Sequence, residues 1–435
     1  MPIYDEYVNI FGAALLFTLY PSISYGINSA LPWGVTLCRF FEYHRVYCDR
    51  MGFEMIYLDN SATTRTLPEA AQASMQAMTE DFYNPAAAYA YGARTEKRVN
   101  EARNVIARPL RAKREEIIFT SGGTESNNAA VFGSLKTWHG PKRVITTSVE
   151  HPSVFETIQS LKQSSNVDIV ILPVNEQGYP DMIALRDSLT ENTALVSMMH
   201  VNNELGTVTD LAAAARLIRR YAPRAIFHAD GVQAYLKVDT ENLGVDLYSI
   251  SAHKFHAPKG VGALYKRSGV RFAGGQMGGG QENNLRSGTL NVPGILGMEK
   301  AVALYEQNLG AWRQNMRLCK RRLFDDLMAI PDVILNGPSL DEAAPHILNL
   351  SFMGVRGEVL LHALEQFDVC VSTGSACAAR KAGKNRILTA AGIIGPRQEG
   401  AIRFSLCPFN TVEEMDKAAQ IVSEQVKFLR KYKRR

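Results

Sequence analysis

Two residues in this sequence, an aspartate and a lysine 24 positions apart, have a chemistry and setting that stand out. Asp230 ends one short apolar run, and Lys254 follows another, just before a Pro/Gly turn. A carboxylate at the carboxyl end of a parallel strand points into the crevice where such sheets bind ligands, although a single aspartate there is more often a cap or an ion-pair partner. A partly desolvated lysine can form a Schiff base. Together they are the pair that a pyridinium cofactor requires.

A glycine-rich turn lies upstream of this pair. It leads from a predicted strand into a predicted helix, in the sequence Thr120-Ser121-Gly122-Gly123-Thr124-Glu125. Glycines let backbone amides approach an anion, and the helix N-terminus adds its partial positive charge. Alone, such a turn is usually a plain helix cap. With Asp230 and Lys254 downstream, we interpret it as a phosphate cradle.

These residues and several further motifs resemble the cysteine desulfurases of the NifS/IscS type, which are class-V aminotransferases of the pyridoxal-phosphate (PLP) fold type I. The resemblance runs from Tyr57 to about Leu429. It includes Leu58-Asp59-Asn60-Ser61-Ala62-Thr63-Thr64, Val201-Asn202-Asn203-Glu204-Leu205-Gly206, Gly278-Gly279-Gly280-Gln281-Glu282 and Arg286-Ser287-Gly288-Thr289.

The resemblance implies a role for each site residue, with pyridoxal 5'-phosphate as the cofactor. Lys254 would bind it and Asp230 would pair with its ring nitrogen. His151 would stack on the ring and act as an acid or base. Gln233 would contact the ring hydroxyl, and the phosphate would contact Gly123, Thr124, Ser251 and His253. Asn202 and Arg403 would bind the substrate carboxylate, and Asn202 would also contact the cofactor. Thr289 would contact the phosphate bound to a neighbouring subunit. The last contact implies a homodimer with shared active sites.

Cys377 is the predicted nucleophile. Small residues precede it, and Arg380, Lys381 and Lys384 follow it. A lone cysteine is usually a small core residue, but this polar, basic setting favours a reactive thiolate. The resemblance implies that Lys254 removes the α-proton of L-cysteine and that Cys377 takes its sulfur as a persulfide, leaving L-alanine.

The sulfur acceptor stays open between two classes of partner. The segment after Cys377 reaches Ile387 within ten residues, and the longer loops of relatives help to deliver sulfur to an iron–sulfur scaffold. An enzyme of tRNA thiolation is therefore at least as probable an acceptor as a scaffold. Two other functions are kept as alternatives: another PLP enzyme, such as a transaminase or selenocysteine lyase, and a PLP-domain binding or regulatory protein without turnover.

The elements that must position these residues alternate between apolar runs and helical patterns, which predicts an α/β fold with a mostly parallel seven-stranded sheet. The predicted strands are 117–120, 143–147, 169–173, 194–200, 225–230, 247–251 and 262–265. A long helix from Val292 to about Ala329 leads to a smaller α+β unit. We predict a PLP-binding large domain at 55–310, with an N-terminal arm at 55–68, and a small C-terminal domain at 311–435 that carries the cysteine loop.

Residues 1–54 do not belong to this pattern. We expect them to be disordered or an over-extended start, with native translation from Met51 or Met55; a peripheral membrane-contacting extension is the alternative. The apolar run Tyr7–Tyr20 is only 14 residues long, which is short for a membrane-spanning helix. We expect no membrane association of the enzyme itself.

Composition is that of a globular protein: 435 residues, 46% hydrophobic, 21% charged and a net charge of +5. The basic C-terminal tail is interpreted as a solvated helix end, so no direct nucleic-acid contact is predicted. The six cysteines form no CxxC pair and no zinc-type cluster with histidine. The sequence therefore predicts no metal site, and unpaired thiols favour a reducing cytoplasm.

Overall fold

The computed structural model describes residues 55–163, 166–374 and 385–431, within a unit that runs from Met55 to Arg435. The predicted N-terminal extension 1–54 and the predicted nucleophile Cys377 lie outside the described residues. None of the helices in the described ranges is both long enough and apolar enough to cross a membrane.

A seven-stranded sheet lies at the centre of the first part of the chain, in the order β2-β8-β7-β6-β5-β3-β4. Its strands are β2 (Ile117–Thr120), β3 (Lys142–Thr147), β4 (Val167–Leu172), β5 (Thr193–Met199), β6 (Ile226–Asp230), β7 (Leu247–Ser251) and β8 (Gly262–Lys266). Only β8 is antiparallel to its neighbours, β2 and β7. The predicted α/β fold with a mostly parallel seven-stranded sheet is confirmed.

The carboxyl ends of six strands lie along one edge of this sheet. Because β8 runs opposite to both β2 and β7, β2 points in the same direction as the parallel strands. The chain segments that leave β2 to β7 therefore all begin at the same edge, where ligands bind in sheets of this kind. The register pairs Asp230 of β6 with Met199 of β5 and with Ser249 of β7.

Helices cover both faces of the sheet. One face packs on α1 (Pro68–Thr79), α2 (Ala90–Ala107), α5 (Met182–Ser188), α6 (Leu211–Tyr221) and the first half of α7 (Val292–Met328). The other face packs on α3 (Gly123–Lys136) and α4 (Pro152–Ser160). The result is a three-layer α/β/α arrangement that buries the apolar strands on both sides.

A second hydrophobic cluster lies in the C-terminal part. It combines the antiparallel sheet β12-β10-β9 with the second half of α7, α8 (Gly357–Glu365) and α11 (Val412–Lys431). The three strands are β9 (Val333–Asn336), β10 (Ile347–Phe352) and β12 (Ala401–Ser405), and two short helices, α9 (Arg386–Ala390) and α10 (Gly395–Glu399), precede β12.

The N-terminal arm, residues 55–68, packs into this second cluster. Its strand β1 (Ile56–Tyr57) pairs in parallel with β11 (Val369–Cys370), and Ile56 and Leu58 are buried in the cluster. The predicted domain boundary at residues 310 and 311 falls inside the continuous helix α7. The division into two domains stays a prediction.

Candidate functional site

A cavity of about 290 Å³ opens at the shared edge of the sheet strands. It collects nine of the predicted site residues: Gly123, Thr124, His151, Asp230, Gln233, Ser251, His253, Lys254 and Arg403. Two predicted residues, Asn202 and Thr289, do not line it. The cavity is at the lower end of the roughly 300–1,000 Å³ range of small-molecule sites.

Asp230 lies at the end of β6 and is 4% exposed. Its Oδ1 accepts a hydrogen bond from the backbone N–H of Val232 at 3.0 Å, and its Oδ2 accepts one from Asn127 Nδ2 at 2.8 Å. Both contacts fix the carboxylate in one orientation at the cavity. Asn127 was not predicted from the sequence; its position four residues after Gly123, on the same face of α3, is the signal that could have found it.

Lys254 follows β7 in a short 3-10 turn. Its Nζ donates to the carbonyl oxygens of Ser61 at 2.6 Å and Ala62 at 2.8 Å, both in the N-terminal arm. Gln233 Nε2 donates to the same Ser61 oxygen at 2.9 Å. The arm therefore joins the cavity lysine to a second cavity residue.

A second buried lysine lies close by. Lys237 is 3% exposed, and its Nζ is 3.5 Å from Gln233 Oε1. Burial, reinforced by the charge of Lys254, lowers the pKa of Lys237 to about 7. Lys237 does not line the cavity, so its ammonium group is not aligned for the chemistry expected of Lys254.

His151 is the N-cap residue of α4. Its Nδ1 accepts from the backbone N–H of Ser153 at 3.2 Å and lies 2.8 Å from Ser153 Oγ. Ser153 Oγ also accepts from Asn127 Nδ2 at 2.8 Å. Burial lowers the pKa of His151, an effect that the charge of Asp230 partly opposes. Since Nδ1 accepts a backbone N–H, the neutral ring carries its proton on Nε2.

The cavity end at the start of α3 suits an anion. Gly122 has φ +148°, a conformation that favours glycine. A Cβ at Gly123 would lie 2.6 Å from Val232 Cγ2, so only glycine lets the chain pass this close. Thr124, Ser251 and His253 line the same cavity, and the N-terminus of a 14-residue helix supplies unpaired backbone N–H groups.

Asn202 holds a turn rather than facing the cavity. Its Oδ1 accepts from the backbone N–H groups of Glu204 and Leu205, each at 2.9 Å, and its Nδ2 donates to the Val149 carbonyl at 3.1 Å. The adjacent Asn203 lines the cavity, and its buried Oδ1 has no hydrogen-bond partner among the described residues. The predicted ligand contacts of Asn202 stay a prediction, and Asn203 is the asparagine of the pair that lines the cavity. Because Asn202 and Asn203 are consecutive residues of the same type, the sequence does not indicate which of them lines the cavity.

Arg403 enters the cavity from β12 with its side chain 4% exposed. Its Nη1 donates to the Asn203 carbonyl at 2.9 Å, and its Nη2 donates to Asp59 Oδ1 at 2.8 Å. Nε is buried without a hydrogen-bond partner in the described part of the chain. This planar group can offer donors to a carboxylate.

Thr289 lines a different cavity, of about 360 Å³, together with the segments 84–86 and 280–283. It does not belong to the Lys254 cavity of its own chain. The prediction that Thr289 reaches the cofactor of a neighbouring subunit remains a prediction.

Glu150 is a fully buried carboxyl group beside the cavity. Its Oε1 accepts from Thr147 Oγ1 at 2.7 Å and from the backbone N–H of Met199 at 2.8 Å. Burial raises the pKa of Glu150 to about 8. Since the folded-state pKa lies above the ordinary value of 4.5, the neutral acid contributes stability that is present at low pH and is lost as the pH rises through about 8.

Glu150→Gln is therefore expected to flatten the pH dependence of stability. Between pH 5 and pH 8 the free energy of unfolding of the wild type should fall, relative to the variant, by up to about 1.4 kcal/mol per pH unit. Urea unfolding of the holoenzyme at several pH values measures this. Glu156→Gln, at an exposed position of α4, is the matched control. Parallel curves for wild type and Glu150→Gln would contradict the expectation.

The residues of the cavity fit pyridoxal phosphate. A fixed acid and an amine stand in one cavity with a glycine-lined anion site, which is the donor set that the cofactor's ring nitrogen, aldehyde and phosphate require. Four buried polar atoms on cavity residues have no partner among the described residues: Ser61 Oγ, Asn127 Oδ1, Asn203 Oδ1 and Arg403 Nε. Such atoms are typical of a site built for a polar ligand.

Comparison with known proteins gives one family. The family Aminotransferase class-V matches residues 56–418 of this chain. A cysteine desulfurase of a Nostoc species is 38% identical over 379 residues, covering 86% of this chain and 94% of its own. The cysteine desulfurase IscS of Clostridium botulinum is 36% identical, covering 86% and 95%.

Solved structures agree with these relatives. A NifS-like protein superposes with a TM-score of 0.81 at 33% identity, covering 86% of this chain and 100% of its own. SspA in complex with cysteine gives 0.72 at 28% identity, covering 82% and 100%.

Proposed function

Because the chain belongs to the class-V aminotransferase family, we propose that it works as a cysteine desulfurase, converting L-cysteine to L-alanine and passing the sulfur to an acceptor. The observation that carries this proposal is a single cavity in which Asp230, Lys254 and Arg403 meet. Pyridoxal 5'-phosphate is the cofactor of this family, and the cavity residues fit it.

When bound, the cofactor supplies an aldehyde that captures the substrate amine and a ring that withdraws electrons from the α-carbon. Lys254 would bind the aldehyde and then move the α-proton. Asp230 would keep the ring nitrogen protonated, since Asn127 and Val232 hold its carboxylate in place. His151 would stack on the ring.

Three further groups of contacts complete the proposed site. Gln233 would bind the ring hydroxyl. Asn202 would contact the cofactor and the substrate, with Asn203, which lines the cavity, beside it. Arg403 would bind the carboxylate of L-cysteine. The phosphate would lie at the start of α3, against Gly123, Thr124, Ser251 and His253.

Cys377 is the proposed nucleophile, although it lies outside the described residues. Its thiolate would attack the sulfur of L-cysteine, so that an S–S bond forms as the C–S bond breaks, leaving a persulfide. Described residues on either side of the segment 375–384, which contains Cys377, support this assignment. Gly374, three residues before Cys377 in the sequence, packs so closely against the side chains of Glu204 and Asn385 that a Cβ would collide with both.

Arg386 is the second described residue after the segment 375–384 that contains Cys377. Its guanidinium donates to the carbonyl oxygens of Ser148 and Glu150 and stacks on the ring of Phe155 at 3.8 Å. Both ends of the segment are thus attached to residues beside the cavity, which supports delivery of the thiol to the substrate.

The remaining parts of the proposal concern partners and compartment. We infer a homodimer in which Thr289 reaches the phosphate of the neighbouring subunit, and an acceptor that is either a tRNA-thiolation enzyme or an iron–sulfur scaffold. Cys319, Cys370 and Cys407 are free thiols, which supports work in the reducing cytoplasm.

Cys377→Ala tests the reaction class. With L-cysteine and a thiol reductant, the wild-type holoenzyme is expected to release alanine and sulfide in equal amounts. The variant should lose about 10³-fold or more of the sulfide release because it lacks the nucleophile, while its cofactor absorbance stays unchanged. Alanine and sulfide are quantified in the same samples.

Cys407→Ala is the matched control. Burial raises the pKa of the Cys407 thiol to about 11, which makes it a poor nucleophile, so its removal should leave sulfide release within about threefold of the wild type. Sulfide release by Cys377→Ala equal to that of the wild type would contradict Cys377 as the nucleophile. Turnover of L-cysteine by the wild type without alanine or sulfide would contradict the desulfurase assignment and favour a transaminase.

A further inference from the structure

The N-terminal arm contacts both cationic side chains of the cavity. The carbonyl oxygens of Ser61 and Ala62 accept from Lys254 Nζ. Two residues earlier, Asp59 Oδ1 accepts from Arg403 Nη2 at 2.8 Å. A segment of four residues thus touches a side chain from the large sheet and one from β12.

The backbone fixes the position of Asp59 next to Arg403. Asp59 forms a parallel bridge with Ser405, two residues from Arg403. Ser405 N donates to the Leu58 carbonyl at 2.6 Å, and the backbone N–H of Ser61 donates to Ser405 Oγ at 2.9 Å. The ion pair therefore rests on a paired backbone rather than on two free side chains.

The guanidinium of Arg403 is held at its far end. The Asn203 carbonyl accepts from Nη1 and Asp59 accepts from Nη2, while Glu204 Oε1 lies 3.7 Å from Nη1. Nε has no hydrogen-bond partner among the described residues. Because the guanidinium is planar, fixing both Nη atoms also fixes the direction of the Nε–H donor.

Burial makes this support necessary. The side chain of Arg403 is 4% exposed, whereas that of Asp59 is 22% exposed. A buried guanidinium is unfavourable unless a carboxylate compensates its charge. Asp59 at 2.8 Å and Glu204 at 3.7 Å place carboxylates beside the guanidinium before any substrate arrives, and Asp59 makes the shorter contact, so Arg403 is held in place in the substrate-free protein.

We propose that Asp59 is a positioning residue that aims Arg403 at the carboxylate of the substrate. The inference rests on the proposed function, because it takes Arg403 as the residue that binds this carboxylate. It assigns to the arm a part in substrate selection: amines that carry an α-carboxylate are bound through an arginine whose direction the arm sets.

Asp59→Asn tests this with a matched pair of ligands. L-alanine and ethylamine share the amine and differ by the carboxylate, and their binding to the holoenzyme is followed by the absorbance of the cofactor. The variant should raise the Kd of L-alanine about tenfold, which corresponds to the loss of one charge-assisted contact. The Kd of ethylamine should stay within about twofold of the wild-type value. KM for L-cysteine should rise about tenfold, with kcat within threefold.

Two control variants separate the possible failures. Asp416→Asn removes a carboxylate from an exposed ion pair with Arg322 and should change the binding of neither ligand. Arg403→Gln should weaken the binding of L-alanine and leave the binding of ethylamine unchanged.

The outcomes distinguish the two hypotheses. If Arg403→Gln weakens only the binding of L-alanine but Asp59→Asn does not, the inference on Asp59 is wrong and the proposed function stands. If Arg403→Gln affects both ligands equally or neither, the carboxylate role of Arg403 fails. Equal weakening of both ligands by Asp59→Asn would show a general structural defect and overturn the positioning role.

Discussion

Lys254→Ala is expected to reduce turnover of L-cysteine by about 10³-fold or more, since it removes the group proposed to bind the cofactor covalently and to move the α-proton. The lysine also holds the N-terminal arm through the carbonyl oxygens of Ser61 and Ala62. Measured quantities are kcat for L-cysteine and the amount of cofactor retained after dialysis.

The site of attachment is measured directly. Borohydride reduction of the wild-type holoenzyme, followed by peptide mass spectrometry, should place the cofactor on Lys254. The competing amine is Lys237, which is buried and has a pKa lowered to about 7. Lys259→Ala, at an exposed lysine five residues away, is the control and should keep both activity and attachment. Label on Lys237, or turnover retained in Lys254→Ala, would contradict the assignment.

Asp230→Asn should lower kcat by about 10²–10³-fold, a magnitude typical for the loss of one group that stabilises developing charge. The substitution keeps the shape of the side chain and removes the charge proposed to pair with the ring nitrogen. It also places an amide against the donor group of Asn127, which now bonds Oδ2 at 2.8 Å. kcat for L-cysteine and the absorbance maximum of the bound cofactor are the measurements.

Asp210→Asn provides the matched control for this change. Asp210 caps α6 through the backbone N–H of Ala213 at 2.8 Å, and asparagine caps helices about as well as aspartate. Its activity should therefore match the wild type. An Asp230→Asn enzyme with kcat within tenfold of the wild type would mean that Asp230 does not serve the ring.

The central sheet was predictable because each of its strands is an apolar run between turn signals. The strands predicted at 117–120 and 247–251 have the same bounds in the structure. Helices α1 and α2 were missed. The buried positions of α1 are the small residues Ala70, Ser74 and Ala77, so its sequence carries little apolar periodicity.

The site was predictable where a motif sits on a strand end and unpredictable where distant segments meet. Asp230 and Lys254 follow apolar runs and could be identified from that context. The pairing of Asp59 with Arg403 joins residues 344 positions apart, and nothing local in either sequence indicates it. The choice between Asn202 and Asn203 depends on which amide closes the turn, a matter of backbone geometry.

The pairing of β1 with β11 has a consequence for how the protein is made on the ribosome. Ile56 emerges early, yet its partner Val369 is added some 300 residues later, which at about 5–20 residues per second is a delay on the order of 15–60 s. During that interval the arm has no strand to pair with, and Arg403 has not been synthesised. Binding of the substrate's carboxylate, the role proposed for Arg403, must therefore await synthesis of the chain as far as β12, so products truncated before β12 would be inactive even when the central sheet has formed.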